Sequence, residues 1–177
     1  DDPLFLGSTM ARPEATQIFG RADLVVAVGT ELSEIDLWRD DLGHRCPLIR
    51  VDIDPQELTD DTVADLPILG DAAAFLEALA QGLAPRKSLW TPAEIAEARS
   101  AYRTSVDIER PGVLRVVEAL RGAMPPGAMI FSDMTQFAYV ATELWDMPEP
   151  GLWHHPCGFG TLGYGLPAAI GGKVGRP

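Results

Sequence analysis

The sequence predicts an α/β fold: two partial units with open parallel sheets, joined by a helical linker. Short apolar runs closed by glycine or proline recur in the first half: "LVVAV" before Gly29, "LIRVDID" before Pro55 and "LPIL" before Gly70. Continuous runs of this kind suit strands of a parallel sheet buried on both faces. Helical segments alternate with them, as an open α/β sheet requires. After Ala84 the alternation breaks, and an independent strand-to-helix passage returns at "IFSDMTQF", residues 130–137.

In chain order, "RPEATQIFGRAD" suits a helix starting near Pro13, with Ile18 and Phe19 facing inward. Residues 24–28, 48–54 and 66–69 are the three expected strands. Asp71 is a good N-cap for "AAAFLEALAQGL", whose Phe75, Leu76 and Leu79 share one stripe. "PRKSLW" begins a linker. The polar helix "TPAEIAEARSAYRTSV" follows, with Thr91 as cap and Pro92 at its first position, and its many charges read as a solvated face. Pro111 opens the helix "GVLRVVEALRGAM". "PPGAMIFSD" then gives a turn and a strand ending at Ser132 or Asp133, from which "TQFAYVATELW" leaves directly as a helix. The expected ranges are 1–84 and 111–177 for two Rossmann-like units and 85–110 for the linker.

Composition narrows the function classes. The 177 residues carry 14 Lys and Arg against 26 Asp and Glu, a formal charge of −12. Nucleic acid and anionic membrane both need clustered positive charge, so neither is an expected partner. An anionic ligand would need local help from backbone amides or a metal ion. No run approaches the roughly 18 apolar residues that cross a bilayer, and no basic-then-apolar signal opens the chain. Cys46 and Cys157 lack metal-ligand spacing and read as free thiols of a cytoplasmic protein. "DDPLFLG" and "AAIGGKVGRP" at the two ends suggest a piece of a longer polypeptide.

The densest signal is "PCGFGTLGYGLPAAIGG", residues 156–172, with six glycines in seventeen positions. Gly158, Gly160, Gly163 and Gly165 each cost about 0.5–1 kcal/mol of extra ordering relative to Ala. Glycines this close together let a ligand touch main chain directly. Leu162 stands among them as a bulky apolar side chain, and taken alone it also suits a core position. Pro167 fits the first turn of the following helix. Gly171 and Gly172 within that helix cost about 1 kcal/mol each against Ala, which close packing against another backbone would justify. "GFGTLG" is literally G-x-G-x-x-G. The dinucleotide fingerprint nevertheless needs an apolar strand before it and an acid about 20 residues after it, and "PGLWHHPC" is a poor strand.

"IFSDMTQF" is the second constellation. Ligands of open α/β sheets gather beyond the carboxyl ends of strands, and here a strand end meets a helix N-terminus with free N–H groups. Thr135 and Gln136 add neutral donors suited to a diphosphate, particularly beside a divalent metal. Asp133 suits either a ligand role or a plain helix cap. His44, His154 and His155 lack catalytic partners at helpful spacing and read as structural or solvent-exposed.

"GFGTLGYGLPAAIGGKV" resembles the Gly-rich loop and helix of thiamine diphosphate enzymes of the acetolactate synthase and 2-oxo acid decarboxylase superfamily. "FSDMTQ" is similar to that superfamily's diphosphate-contacting segment. "ADLVVAVGTELSE", "LIRVDIDPQEL" and "ILGDAAAFLEAL" look like the second half of its central domain, in the right order. The resemblance implies that residues 1–84 are that half-domain and 111–177 the start of the cofactor-binding domain. It implies a cofactor site of Asp133, Thr135, Gln136, Gly158, Gly160, Thr161 and Leu162. The Gly160 carbonyl would accept from the aminopyrimidine 4′-amino group, Leu162 would wedge beneath the cofactor, and Thr135 and Gln136 would contact the diphosphate. The cofactor supplies the carbanion chemistry and the protein its geometry.

The family's catalytic glutamate belongs to an N-terminal domain, and its Mg2+ motif, Gly-Asp-Gly with a later Asn, is expected just past Pro177. No catalytic residue and no metal ligand is therefore assigned within this chain, which alone should be inactive and should expose apolar surface. Flavin-binding acetolactate synthases carry an "RFDDR"-like stretch where this chain has "ELSEIDLW". That departure counts against FAD and against synthase activity. The acidic Glu31, Glu34 and Asp36 suggest a 2-oxo acid with a cationic tail, such as a guanidino group, as substrate, although a solvated acidic turn is the simpler explanation of these residues alone. An acetolactate synthase-like carboligase is the alternative, as is a non-catalytic nucleotide-binding or structural module. The family's active sites form between subunits, so a homodimer or homotetramer is expected.

Overall fold

The computed structural model describes residues 2–176. Asp1 and Pro177, which close the two outer expected ranges, lie outside the described residues. The chain divides into two compact units: Met10–Thr91, and Pro92 onward together with the segment up to Thr9. The 85–110 segment thus gives residues 85–91 to the first unit and its helix to the second.

The first unit contains α1 (Ala15–Arg21), β1 (Val25–Val28), α2 (Glu34–Leu37), β2 (Leu48–Asp52), β3 (Leu66–Leu69) and α3 (Ala72–Gly82). Its three strands are parallel in the order β1-β2-β3, with Val25 opposite Leu48 and Ile49 opposite Leu66. Val25, Ala27, Leu32, Leu37, Leu42 and Leu48 form the core, with Met10, Phe19 and Ala22 against it. Each large side chain so buried contributes about 1.5–3 kcal/mol. As the sequence suggested, the Asp71 carboxylate caps α3 by accepting from the Ala74 amide at 2.9 Å.

Two expectations are corrected in this unit. The run at β1 suggested burial on both faces, but Val25 and Ala27 are buried while Val26 is 39% exposed. The stripe of α3 suggested an inward face, yet α3 has no buried residue, and Leu76, Leu79 and Leu83 are exposed. The face carrying Val25, Ala27 and Leu48 is covered, whereas the other is covered only at its middle, where Val51 is 1% exposed, so β1 alternates where continuous burial was expected.

Arg50, on β2, is 1% exposed. Its guanidinium donates to Asp60 Oδ1 at 2.5 Å and to the carbonyls of Thr62 at 2.9 Å, Glu31 at 3.3 Å and Thr30 at 3.4 Å. A buried cation is tolerable only with such saturation of its donors.

The second unit contains α4 (Pro92–Glu109), α5 (Val113–Ala123), β4 (Ile130–Phe131), α6 (Gln136–Leu144), β5 (Trp153–His154) and α7 (Gly165–Gly175). Tyr102, Val106, Val117, Val140, Ala141 and Leu144 form its core. Ile95, Tyr102 and Val106 give α4 one buried stripe, opposite the charged residues read as solvated. Arg99 of α4 donates to the Phe5 carbonyl and pairs with Asp146, tying the N-terminal segment to this unit.

The "PGLWHHPC" stretch was set aside as a poor strand, but Trp153–His154 pairs in parallel with Ile130–Phe131. The strand is only two residues long. Its ladder with β4 is what makes it a strand, with the Ile130 amide donating to Leu152 O at 2.7 Å and the Ser132 amide to His154 O at 3.0 Å.

Candidate functional site

The carboxyl ends of β4 and β5 lie side by side, and from them leave the 132–135 turn into α6 and the 155–164 loop into α7. The two constellations singled out in the sequence therefore meet at one sheet end, where parallel strands gather ligands.

Asp133 joins them. Its Oδ1 accepts from the Met134 amide at 2.9 Å and the Gly163 amide at 3.0 Å, and its Oδ2 from the Gly165 amide at 2.9 Å. The helix it caps is α7, which begins 32 residues onward and whose own N-cap residue Tyr164 makes no side-chain cap bond. The cap of α6 is Thr135, whose Oγ1 accepts from the Ala138 amide at 3.1 Å. Bonds from the Gly165 and Met134 amides lead in holding the Asp133 carboxyl below its ordinary range, against partial burial; Gly163 and the neighbouring His155 add to them.

In the Gly-rich loop, Gly160 sits at φ +59° and Gly163 at φ +80°, left-handed conformations that a side chain would strain. A Cβ at Gly160 would stand 3.1 Å from Met134 Cε. The Gly160 amide is used inside the loop, donating to Pro156 O at 3.1 Å. Leu162 is 77% exposed, which removes the core reading of this side chain. Gly158 and Thr161 are exposed in the loop, as are Thr135 and Gln136 at the start of α6.

Gly172 explains itself by contact: a Cβ there would fall 2.3 Å from Phe131 Cζ. The close approach is to this ring, where a backbone had been expected. Gly171 has nothing within 4 Å of such a Cβ. Phe131 in turn stacks on His154, with centroids 4.6 Å apart.

Sequence reasoning did not bring His155, Ser132, Met134 and Tyr139 into the site. Ser132 Oγ lies 2.8 Å from His155 Nδ1 and 3.3 Å from His154 O. A hydroxyl has one proton, so both bonds are made only when Ser132 donates to His154 O and the Nδ1–H of His155 donates to Ser132. His155 meets Tyr139 edge-on at 5.9 Å, and the Tyr139 hydroxyl donates to Met134 Sδ at 3.5 Å. Burial pushes the His155 imidazole below its ordinary 6.5, with Asp133 opposing. Ser132 and Met134 lie within the "IFSDMTQF" segment already singled out, whereas the contacts of His155 with Ser132 and Tyr139 are tertiary and leave no local signal.

The arrangement also bears on the G-x-G-x-x-G reading. The motif does lie between a strand and a helix here. The amides that would receive a dinucleotide pyrophosphate at the start of α7 are nevertheless taken by the Asp133 carboxylate. The donor set fits a heterocycle with a diphosphate tail better: glycine backbone at positive φ in the loop, exposed apolar side chains at Phe159 and Leu162, and exposed neutral donors at Thr135 and Gln136. Among the described residues no group of three or more His, Cys, Asp or Glu is placed to hold a metal ion. No helix among them is long and apolar enough to cross a membrane. Cys46 and Cys157 are free thiols.

Comparison with known proteins gives the family. Residues 1–79 match the family model described as thiamine pyrophosphate enzyme, central domain. Residues 133–177 match that of the C-terminal TPP binding domain of thiamine pyrophosphate enzymes. A probable 2-ketoarginine decarboxylase of Pseudomonas aeruginosa is 38% identical over 179 residues, covering 100% of this chain and 32% of the relative. The acetolactate synthase isozyme 3 large subunit of Escherichia coli is 30% identical over 176 residues, 93% of this chain and 30% of its own length. An acetolactate synthase of Mycobacterium leprae is 29% identical over 170 residues, 89% of this chain and 27% of its own. The chain thus spans about a third or less of the length of these curated relatives.

Proposed function

The chain belongs to the thiamine pyrophosphate enzyme family, and from that premise we propose that it serves the thiamine diphosphate-dependent decarboxylation of a 2-oxo acid carrying a guanidino or similar cationic tail. The observation that carries the reading is the Gly-rich loop. Gly160 is held at φ +59° with exposed Leu162 two residues on, and Asp133 ties this loop to the α6 turn.

When bound, thiamine diphosphate supplies the carbanion chemistry that releases carbon dioxide from a 2-oxo acid. The chain's own residues bind and orient. Gly160 offers its carbonyl to an amino group of the pyrimidine, and Leu162 presents an apolar prop beneath it. Thr135 and Gln136 donate to the diphosphate at a helix N-terminus, where a backbone partial charge of roughly +0.5 offsets the acidity of the chain. Mg2+ belongs to this reading as the diphosphate's counter-ion, with ligands outside the described residues.

The cationic tail is supported by one relative, which is named for 2-ketoarginine. Calorimetry of the full-length protein with thiamine diphosphate and Mg2+ tests the cofactor, and absence of binding removes the reading. Carbon dioxide release from guanidino-substituted and neutral 2-oxo acids tests the substrate, and equal kcat/KM for both removes the cationic preference. A second reading, carboligation, is favoured by the relatives named acetolactate synthase. Formation of an acetohydroxy acid from pyruvate would establish it in place of simple decarboxylation.

A further inference from the structure

Asp133 stands where the sequence suggested a ligand contact, yet all three of its hydrogen bonds are to amides of its own chain. Two of the three come from the last turn of the Gly-rich loop and the first residue of α7. The loop between Pro156 and Tyr164 has little else to fix it. Its glycines at 158 and 163 have open space where a side chain would be, and Phe159 and Leu162 are 99% and 77% exposed. A loop so rich in glycine has many accessible shapes, and each must be given up when a ligand is gripped. A carboxylate accepting from two of its amides removes that freedom beforehand.

We propose that Asp133 is a positioning residue: by holding the Gly163 and Gly165 amides it presets the Gly-rich loop in its cofactor-receiving shape, and it does so without itself touching the cofactor. The same carboxylate fills the N-terminus of α7 with negative charge, so a diphosphate is turned away from that helix and toward the exposed Thr135 and Gln136 of α6. The role rests on the thiamine diphosphate reading of the site, and it assigns to Asp133 the shape of the loop. Hydrogen bonds with a charged acceptor are roughly twice as strong as neutral ones, which suits a single side chain to this task. The amide bonds from Gly165, Met134 and Gly163 hold the carboxyl below its ordinary range, which favours the charged acceptor.

The test uses the full-length protein and the variants Asp133→Asn and Asp133→Glu. Asparagine keeps the shape but brings a donor to face one of the two amides, whereas glutamate keeps the charge one methylene further out. In the cofactor-free Asp133→Asn protein, hydrogen exchange across residues 160–166 should quicken about tenfold while 168–175 stays unchanged, as expected for loss of a bond to a charged acceptor. Affinity for thiamine diphosphate with Mg2+, read by tryptophan fluorescence, should weaken by a similar factor, with kcat at saturating cofactor within about twofold of the parent. Asp133→Glu should fall between the two in both measurements, and it carries the test if Asp133→Asn fails to fold. Unchanged loop exchange or unchanged affinity overturns the proposal. So does a fall in kcat that saturating cofactor does not relieve, which would mean that Asp133 meets the reacting groups. If the parent protein binds no thiamine diphosphate, the functional reading fails on its own, and the exchange measurement still decides whether Asp133 shapes the loop.

Discussion

Two adjacent glycines of α7 should respond to alanine with opposite sign. At Gly172 an added Cβ would lie 2.3 Å from Phe131 Cζ, 2.6 Å from Cε2 and 3.4 Å from Cε1. Carbon atoms rest at about 3.5–4.0 Å, so the ring must retreat by more than about 1 Å. It cannot do so freely, because it stacks on His154 with planes 9° apart. Overpacking of this kind costs about 1–3 kcal/mol, and loss of the ring stack a further 0.5–1.5 kcal/mol or so. Against this, alanine gains about 1 kcal/mol over glycine inside a helix. Gly172→Ala should therefore destabilise by about 0.5–3.5 kcal/mol. At Gly171 no atom lies within 4 Å of the added methyl, so only the helix gain of roughly 1 kcal/mol applies. Urea unfolding of the full-length variants, followed by tryptophan fluorescence, should give a midpoint below the parent for Gly172→Ala and above it for Gly171→Ala. A Gly172→Ala protein as stable as the parent would refute the packing account, as would equal losses at both positions.

Three further outcomes follow from the geometry. Leu162→Ala should change the unfolding midpoint little, within about 0.5 kcal/mol for so exposed a side chain, while lowering decarboxylation at saturating cofactor about tenfold or more by loosening orientation. Arg50→Ala should destabilise by roughly 2–4 kcal/mol, because three carbonyls and Asp60 lose their donor together; thermal unfolding measures it. His155 is held below its ordinary 6.5, so the unfolded chain takes up the proton first as the pH falls. Its contribution is complete above about pH 6.5 and is lost as pH falls from there toward its lower folded value. His155→Asn should flatten that part of the stability profile between about pH 8 and pH 5, and an unchanged profile would show that the ring is not desolvated.

What could be read in advance was what local chemistry decides. β3 begins and ends where "LPIL" does, because Asp65 and Gly70 bracket it, and Asp71 caps α3 through an amide three residues away. β5 was not legible. Trp153–His154 carries no alternation, sits between prolines, and owes its strand conformation to the ladder with β4 and the contacts around it. The role of Asp133 was half legible: its type and position announced a cap, but nothing nearby could say that the helix in question begins 32 residues later. His155 was passed over because its partner Ser132 lies 23 residues away in sequence. Arg50 offered a signal that went unused. It shares the inward face of β2 with Leu48, two residues earlier, and a lone cation at such a position demands partners.

That arginine has a mechanical consequence. One guanidinium rivets the turn at Thr30–Glu31 to the turn at Asp60–Thr62, so neither can swing while the other stays. Lengthening either turn would draw its anchor point away from a side chain whose reach is fixed by β2. Insertions there should be tolerated far less well than their position outside the strands suggests, and the two turns should drift together or not at all.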